Sequence, residues 1–164
     1  MALFYLNQSL ELEMLDPRSE QLNLAGTHLN LTAILTKLGK HNEAITHAKS
    51  SIIILRRLID RKEVAMTKQS VTLSEPGVQD STVKIEQDPD SLALNNYLQS
   101  QESKNLYMTE AIAYYNLGAS YEHLGGQKLQ QALKSYEIAQ TIAHIHMPHN
   151  HPLIATISDS VKKV

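Results

Sequence analysis

The 164-residue sequence predicts an all-α protein. Apolar residues recur at helical spacing through almost every segment, strand-like alternation is nearly absent, and the breaks carry Gly, Asn or Asp-Pro, residues that stop and restart helices.

The elements follow in order. Leu3, Leu6, Leu10 and Leu15 fall near a helical period, and Asp16-Pro17 ends that helix. From about Ser19 to Leu38 a second helix carries Leu22, Leu24, Leu29, Leu31, Ile34, Leu35 and Leu38, with Gly39 as its stop. Asn42 is placed to cap a third helix running to about residue 66. Residues 67–90, rich in Ser, Thr, Gln, Pro and Gly, have no sustained period and are expected to form a flexible polar insert, with "STVKIEQ" as a short extended piece. Asp90 or Ser91 is placed to cap a long helix lined by Tyr97, Leu106, Tyr107, Ile112, Tyr114, Tyr115, Leu117, Tyr121 and Leu124, ending at Gly125-Gly126. Another runs from about Gln127 to His146, and a last begins at His151-Pro152.

Composition narrows the function. Net charge is −2, so no overall basic field holds a nucleic-acid backbone. There is no cysteine, which excludes disulfides, thiolate zinc sites and cysteine nucleophiles; a cytoplasmic chain is expected. No apolar run approaches the roughly 18 residues of a membrane span. A phosphate loop, a nucleophile elbow and a metalloprotease helix motif are all missing, so a non-enzymatic protein without a cofactor is expected.

Two segments overlay. "THLNLTAILTKLGKHNEAITHAKSSIIIL" from Thr27 and "AYYNLGASYEHLGGQKLQQALKSYEIAQTI" from Ala113 share Asn-Leu, a small residue, a helix end at Leu-Gly, and a second helix with spaced small residues. Here the chain resembles the tetratricopeptide repeat family. The later repeat matches through Tyr114, Leu117, Gly118, Tyr121, Ala132, Tyr136 and Ala139; the earlier through His28, Leu31, Leu35, Ala44, Ala48 and Ser51. It departs with histidine in the large slot and Thr32 in the glycine slot, and the later turn has two extra residues. The frame "YEIAQTIAHIHMPHNHPLIAT" is similar to the kinesin-light-chain subtype, with its His-Pro connector.

The resemblance implies an α-solenoid of antiparallel helix pairs in a right-handed superhelix. Residues 1–66 would hold a half repeat and the first full repeat, 67–90 the insert, 91–150 the second full repeat, and 151–164 the start of another or a capping helix. The edge half-repeats imply either a larger solenoid or assembly, or self-capping. The resemblance also implies a concave groove for peptide segments at Leu29, Asn30, Ala33, Thr36 and Lys37, then Ile112, Tyr115, Asn116, Ala119, Glu122 and His123. The asparagines would hydrogen-bond a peptide backbone and Lys37 would hold a carboxylate. The family's chaperone-tail clamp is not expected, because Leu29 and Ala33 stand where it needs a lysine and a second asparagine.

The histidine-rich stretch His144–Pro152 is read as a helix end and turn. His144 and His146, two apart, do not share a helix face, and no nearby carboxylate or cysteine completes a ligand set. "ILRRLIDRK" is read as a solvated face with Asp60 and Glu63 as partners, the alternative being a dock for an acidic surface. "VKIE" at Val83–Glu86 fits a short modification acceptor, a pattern that arises often by chance.

The resulting expectation is a protein-interaction scaffold inside a multi-protein complex, binding a peptide segment or a neighbouring subunit, with no nucleic-acid or membrane partner. Family settings that fit are ciliary, axonemal or other microtubule and cytoskeletal assemblies, and motor-cargo adaptors. The alternatives are a regulatory segment of a larger enzyme and a histidine-cluster metal binder.

Overall fold

A computed structural model describes residues 1–16, 20–72 and 89–164, with the side chains of 68–72 and 89–92 left aside. Among these residues there are six α-helices, one 3₁₀ turn and no strand. The helices are α1 (Ala2–Leu15), α2 (Gln21–Lys37), α3 (His41–Thr72), α4 (Pro89–Leu124), α5 (Leu129–His146) and α6 (Pro152–Lys163). Each packs chiefly against its neighbours in the chain, and α2 also lies against α4.

The turn chemistry explains the boundaries. After α2, Lys40 N–H donates to the Leu35 carbonyl at 2.9 Å and Gly39 N–H to that of Thr36 at 3.1 Å. This Schellman closure needs a left-handed residue, supplied by Gly39 at φ +74°. The closure sets α3's start at His41, so Asn42 lies in its first turn instead of capping it. At α6 the His151 Nδ1 accepts from Leu153 N–H at 3.2 Å and Pro152 fills the first helical position.

The middle helices are longer than the sequence pattern predicts. α3 continues past residue 66 to Thr72, because "TKQSVT" contains no Pro or Gly to break it. α4 starts at Pro89, a good first-turn residue, which places Asp90 and Ser91 inside the helix. Only 73–88 separates the two, and "STVKIEQ" and "VKIE" lie outside the described residues. With 32 and 36 residues, α3 and α4 run about 48 and 54 Å. Arg61 meets Gln21 at the start of α2, and Tyr107 stacks on His146 at the end of α5. Beyond those contacts α3 and α4 project together as a two-helix arm. The Lys62–Glu102 ion pair and a 2.6 Å hydrogen bond from the Tyr107 hydroxyl to Glu63 tie them together.

The core is built on small residues. Ala25, Ala44, Ala48, Ala111, Ala113, Ala132, Ala139 and Ala143 are fully buried and let the helices approach. α5 comes close to α4 at Gly118: a Cβ built there would lie 2.6 Å from Cδ1 of Tyr136. Tyr136 fills the space that Gly118 leaves. Its hydroxyl donates to Glu122 at 2.7 Å, and Glu122 also accepts from Lys163 of α6 at 2.7 Å.

In the earlier segment Thr32 and Ala48 take the positions of Gly118 and Tyr136, and both are buried. The Thr32 hydroxyl bonds the His28 carbonyl at 2.9 Å. Small and large have changed sides: where the second helix carries alanine, the first accommodates threonine. Ser51 joins α3 to α2 by donating to the Ala25 carbonyl at 2.9 Å.

Gly118→Ala is therefore expected to destabilise by about 1–3 kcal/mol, the range for overpacking. Denaturant unfolding will measure it. Combining it with Tyr136→Leu should cost less than the two single losses added together, because the clash is then removed.

Candidate partner-binding surface

α2 and α4 lie against each other, joined by the 3.0 Å hydrogen bond between the hydroxyls of Thr36 and Ser120. Near the same ends, His41 at the start of α3 stacks on His123 of α4, centroids 4.8 Å apart. The residues predicted to form a groove recur on α2 at 29, 30, 33, 36 and 37, and on α4 at 112, 115, 116, 119, 122 and 123, spacings that keep each set on one helical stripe.

They divide by exposure. Asn30, Lys37 and His123 are exposed; Ala33, Thr36, Ile112, Asn116 and Ala119 are half-buried. The Asn30 and Asn116 side-chain amides make no hydrogen bond within the described residues. Several of them serve the fold. Leu29 and Ala119 pack on the main core cluster. Tyr115 packs on two clusters, its ring 5.6 Å from that of Tyr136. Glu122 is held by Tyr136 and Lys163, and Lys163's hydrogen bond is the first cause holding its carboxyl below the ordinary range.

The basic stretch on α3 has other partners than its sequence neighbours. Arg56 reaches across to Glu110 of α4 at 3.0 Å and lies 5.6 Å from the Tyr114 ring centroid. Burial pushes the Glu110 carboxyl up, and Arg56 opposes that shift. Lys62 pairs with Glu102, and Arg61 bonds Gln21 at 3.3 Å. Asp60 and Glu63 instead add negative potential around Tyr107, whose hydroxyl is pushed up to about 12, chiefly by its hydrogen bond to Glu63. The patch thus joins α3 to α4 and α2; Arg57 is exposed.

The histidines divide in the same way. His146 stacks face to face on Tyr107, centroids 3.6 Å apart, and His151 caps α6, while His144 and His149 are exposed.

Sequence reasoning missed two features. One is an apolar concavity of about 390 Å³ at the base of the arm, lined by Leu22, Leu58, Ala65 and Leu106 with Arg61, Lys62, Glu102 and Asn105. It needs three helices in register, which no local pattern reports. The other is a histidine pair: Nδ1 of His28 lies 2.9 Å from Nδ1 of His47. His28 was legible only as a departure in the large slot of the repeat.

That pair demands one protonated and one bare Nδ1, so the contact cannot survive with both rings cationic. Burial holds both histidines below their ordinary pKa; His47 adds to the lowering at His28, while Glu13 opposes it there and Glu43 opposes it at His47.

Compared with family models, curated proteins and solved structures, the chain matches none of them.

The pair sets a pH dependence. With folded pKa values below the unfolded ones, the unfolded chain binds more protons. The pair's stabilising contribution is present above the unfolded value of about 6.5 and is lost as pH falls below it. Thermal melts between pH 7.5 and 5.5 should show a falling midpoint. The fall should be shallower in the His28→Asn/His47→Asn double variant, whose amides keep donor and acceptor at every pH.

Proposed function

We propose that the chain is a non-enzymatic interaction module of tetratricopeptide type, an α-solenoid whose α2–α4 face binds an extended peptide segment of a protein partner within a larger assembly. The observation that carries the proposal is the side-chain amide of Asn116, which has no hydrogen-bond partner among the described residues. It is half-buried beside Tyr115 and Ala119, on the helix that packs against α2. The amide is open to solvent and carries both a donor and an acceptor, the pair of groups that a peptide backbone C=O and N–H would meet. Asn30 offers the same group on α2, and Lys37 adds an exposed cation for a carboxylate.

The packing supports the solenoid reading. The positions matched to the repeat pattern are buried at Leu31, Leu35, Ala44, Ala48 and Ser51, and at Leu117, Gly118, Tyr121, Ala132, Tyr136 and Ala139. Contacts run between chain neighbours and between the first helices of successive pairs, as stacked repeats require. Among the described residues no helix is long and apolar enough to cross a membrane.

Peptides selected from a displayed library against the chain provide the test. Asn30→Ala/Asn116→Ala should weaken the selected peptides by about tenfold or more, in the range for hydrogen bonds left unmade, with an unchanged melting midpoint. Lys37→Glu should remove any preference for acidic peptides. Undiminished binding by both variants would move the site off this face.

A further inference from the structure

The His28–His47 pair joins α2 to α3. Its ring centroids stand 5.2 Å apart and its Nδ1 atoms 2.9 Å, a difference of two ring radii, so the nitrogens meet head-on along the line of centres. Nitrogens set this way share a proton. Two ligands of one metal would instead converge on a point off that line, and among the described residues no group of three or more His, Cys, Asp or Glu is placed to hold a metal.

A carboxylate acts on each ring. Glu43 lies four residues before His47 on α3, exposed and paired with Lys40 at 3.1 Å. Glu13 acts on His28 from α1. Its Oε1 accepts from Ser9 and from Thr27, both at 2.9 Å, and Thr27 is the residue before His28. Its Oε2 is buried and has no hydrogen-bond partner among the described residues. A buried carboxylate oxygen without a donor is costly, and a cationic imidazole N–H is among the strongest donors it can take.

We infer that His28 is a proton-driven latch: sharing one proton with His47 it ties α2 to α3, and once both rings are charged it turns to Oε2 of Glu13 and ties α2 to α1. Two like charges at this distance repel, and neither ring then keeps the bare nitrogen that the contact needs. Glu13 already attracts the His28 charge across the α1–α2 seam, so the exchange asks for a rotation of the His28 side chain. His47 is left to Glu43, its neighbour one turn back, a favourable order for an acid and a base on one helix. α4, the third helix against α2, meets it at Thr36, about two turns from His28. The titratable groups there, Glu122 and His123, are engaged by Tyr136, Lys163 and His41.

The latch controls α1. That helix has few other ties: Leu3, Leu6 and Leu10 pack on Leu31, Leu35 and Ala44, and none of its residues is fully buried. An ion pair at Glu13 tightens α1 while the α2–α3 seam loosens at His47. Burial holds both rings below the ordinary histidine value, so the exchange takes place on acidification below about 6.5. Peptide binding at α2–α4 plays no part in it.

Amide hydrogen exchange of the whole chain at pH 7.5 and 5.5, corrected for the intrinsic rate at each pH, tests the latch. Protection of the α1 amides should rise about two- to fivefold at pH 5.5, the range for a partly exposed charge pair. Glu13→Gln keeps an oxygen for Ser9 and Thr27 but removes the charge, and should abolish the rise. His28→Gln should abolish it with Glu13 intact; either variant suffices if the other fails to fold. Protection at α1 that is unchanged or falls at pH 5.5, or a rise that persists in either variant, would overturn the latch. So would a rise shared by α6, whose His151 cap loses its acceptor on protonation, because the effect would then be general.

Discussion

The rest of the structure depends on the contact of Gly118 with the Tyr136 ring. It fixes how near α5 comes to α4, and only a residue without a Cβ permits that distance. The buried ring brings its hydroxyl to Glu122, and Glu122 reaches Lys163 on α6. One aromatic side chain thus couples three helices: its face sets a spacing, and its polar tip sets a rotation. Burial, with the Glu122 hydrogen bond behind it, also pushes the Tyr136 hydroxyl up, so it remains a donor through the physiological range.

The proposed binding face follows from that spacing. With α4 held by α5 on one side and α3 on the other, its remaining stripe carries Asn116 and His123 toward the α2 side. Tyr115 and Glu122 lie within the same stripe but are held by Tyr136, so they shape the surface more than they offer groups to a ligand. The arm formed by α3 and α4 is a separate consequence of helix length. It raises Leu94, Tyr97, Leu98, Val64 and Met66 into solvent and leaves the concavity at its base.

Much of the fold was legible because its causes are local. Leu periodicity, Gly39 and Gly125, and the His151-Pro152 start mark helices and turns within a few residues of where they lie. The small residues Ala44, Ala132 and Ala139 were legible as packing positions because their spacing repeats. Less legible was whatever depends on residues far apart in the chain. Arg56 looks like the partner of Asp60, its i+4 neighbour, yet it pairs with Glu110, which approaches only after α4 docks. The His28–His47 contact has the same origin. The polar composition around 67–72 suggests a loop, yet α3 continues to Thr72 because no breaker interrupts it. At the binding face, sequence spacing identified the stripe, but not which members the core would claim.

The most direct test of the central claim is to follow the side-chain amide resonances of Asn30 and Asn116 by ¹⁵N NMR while a selected peptide is titrated in. If the α2–α4 face binds peptide, both shift and saturate together with the peptide, alongside the backbone amides of Lys37 and His123. Saturable binding that leaves these resonances unmoved, with shifts gathered instead around Leu22, Leu58 and Leu106, would contradict it.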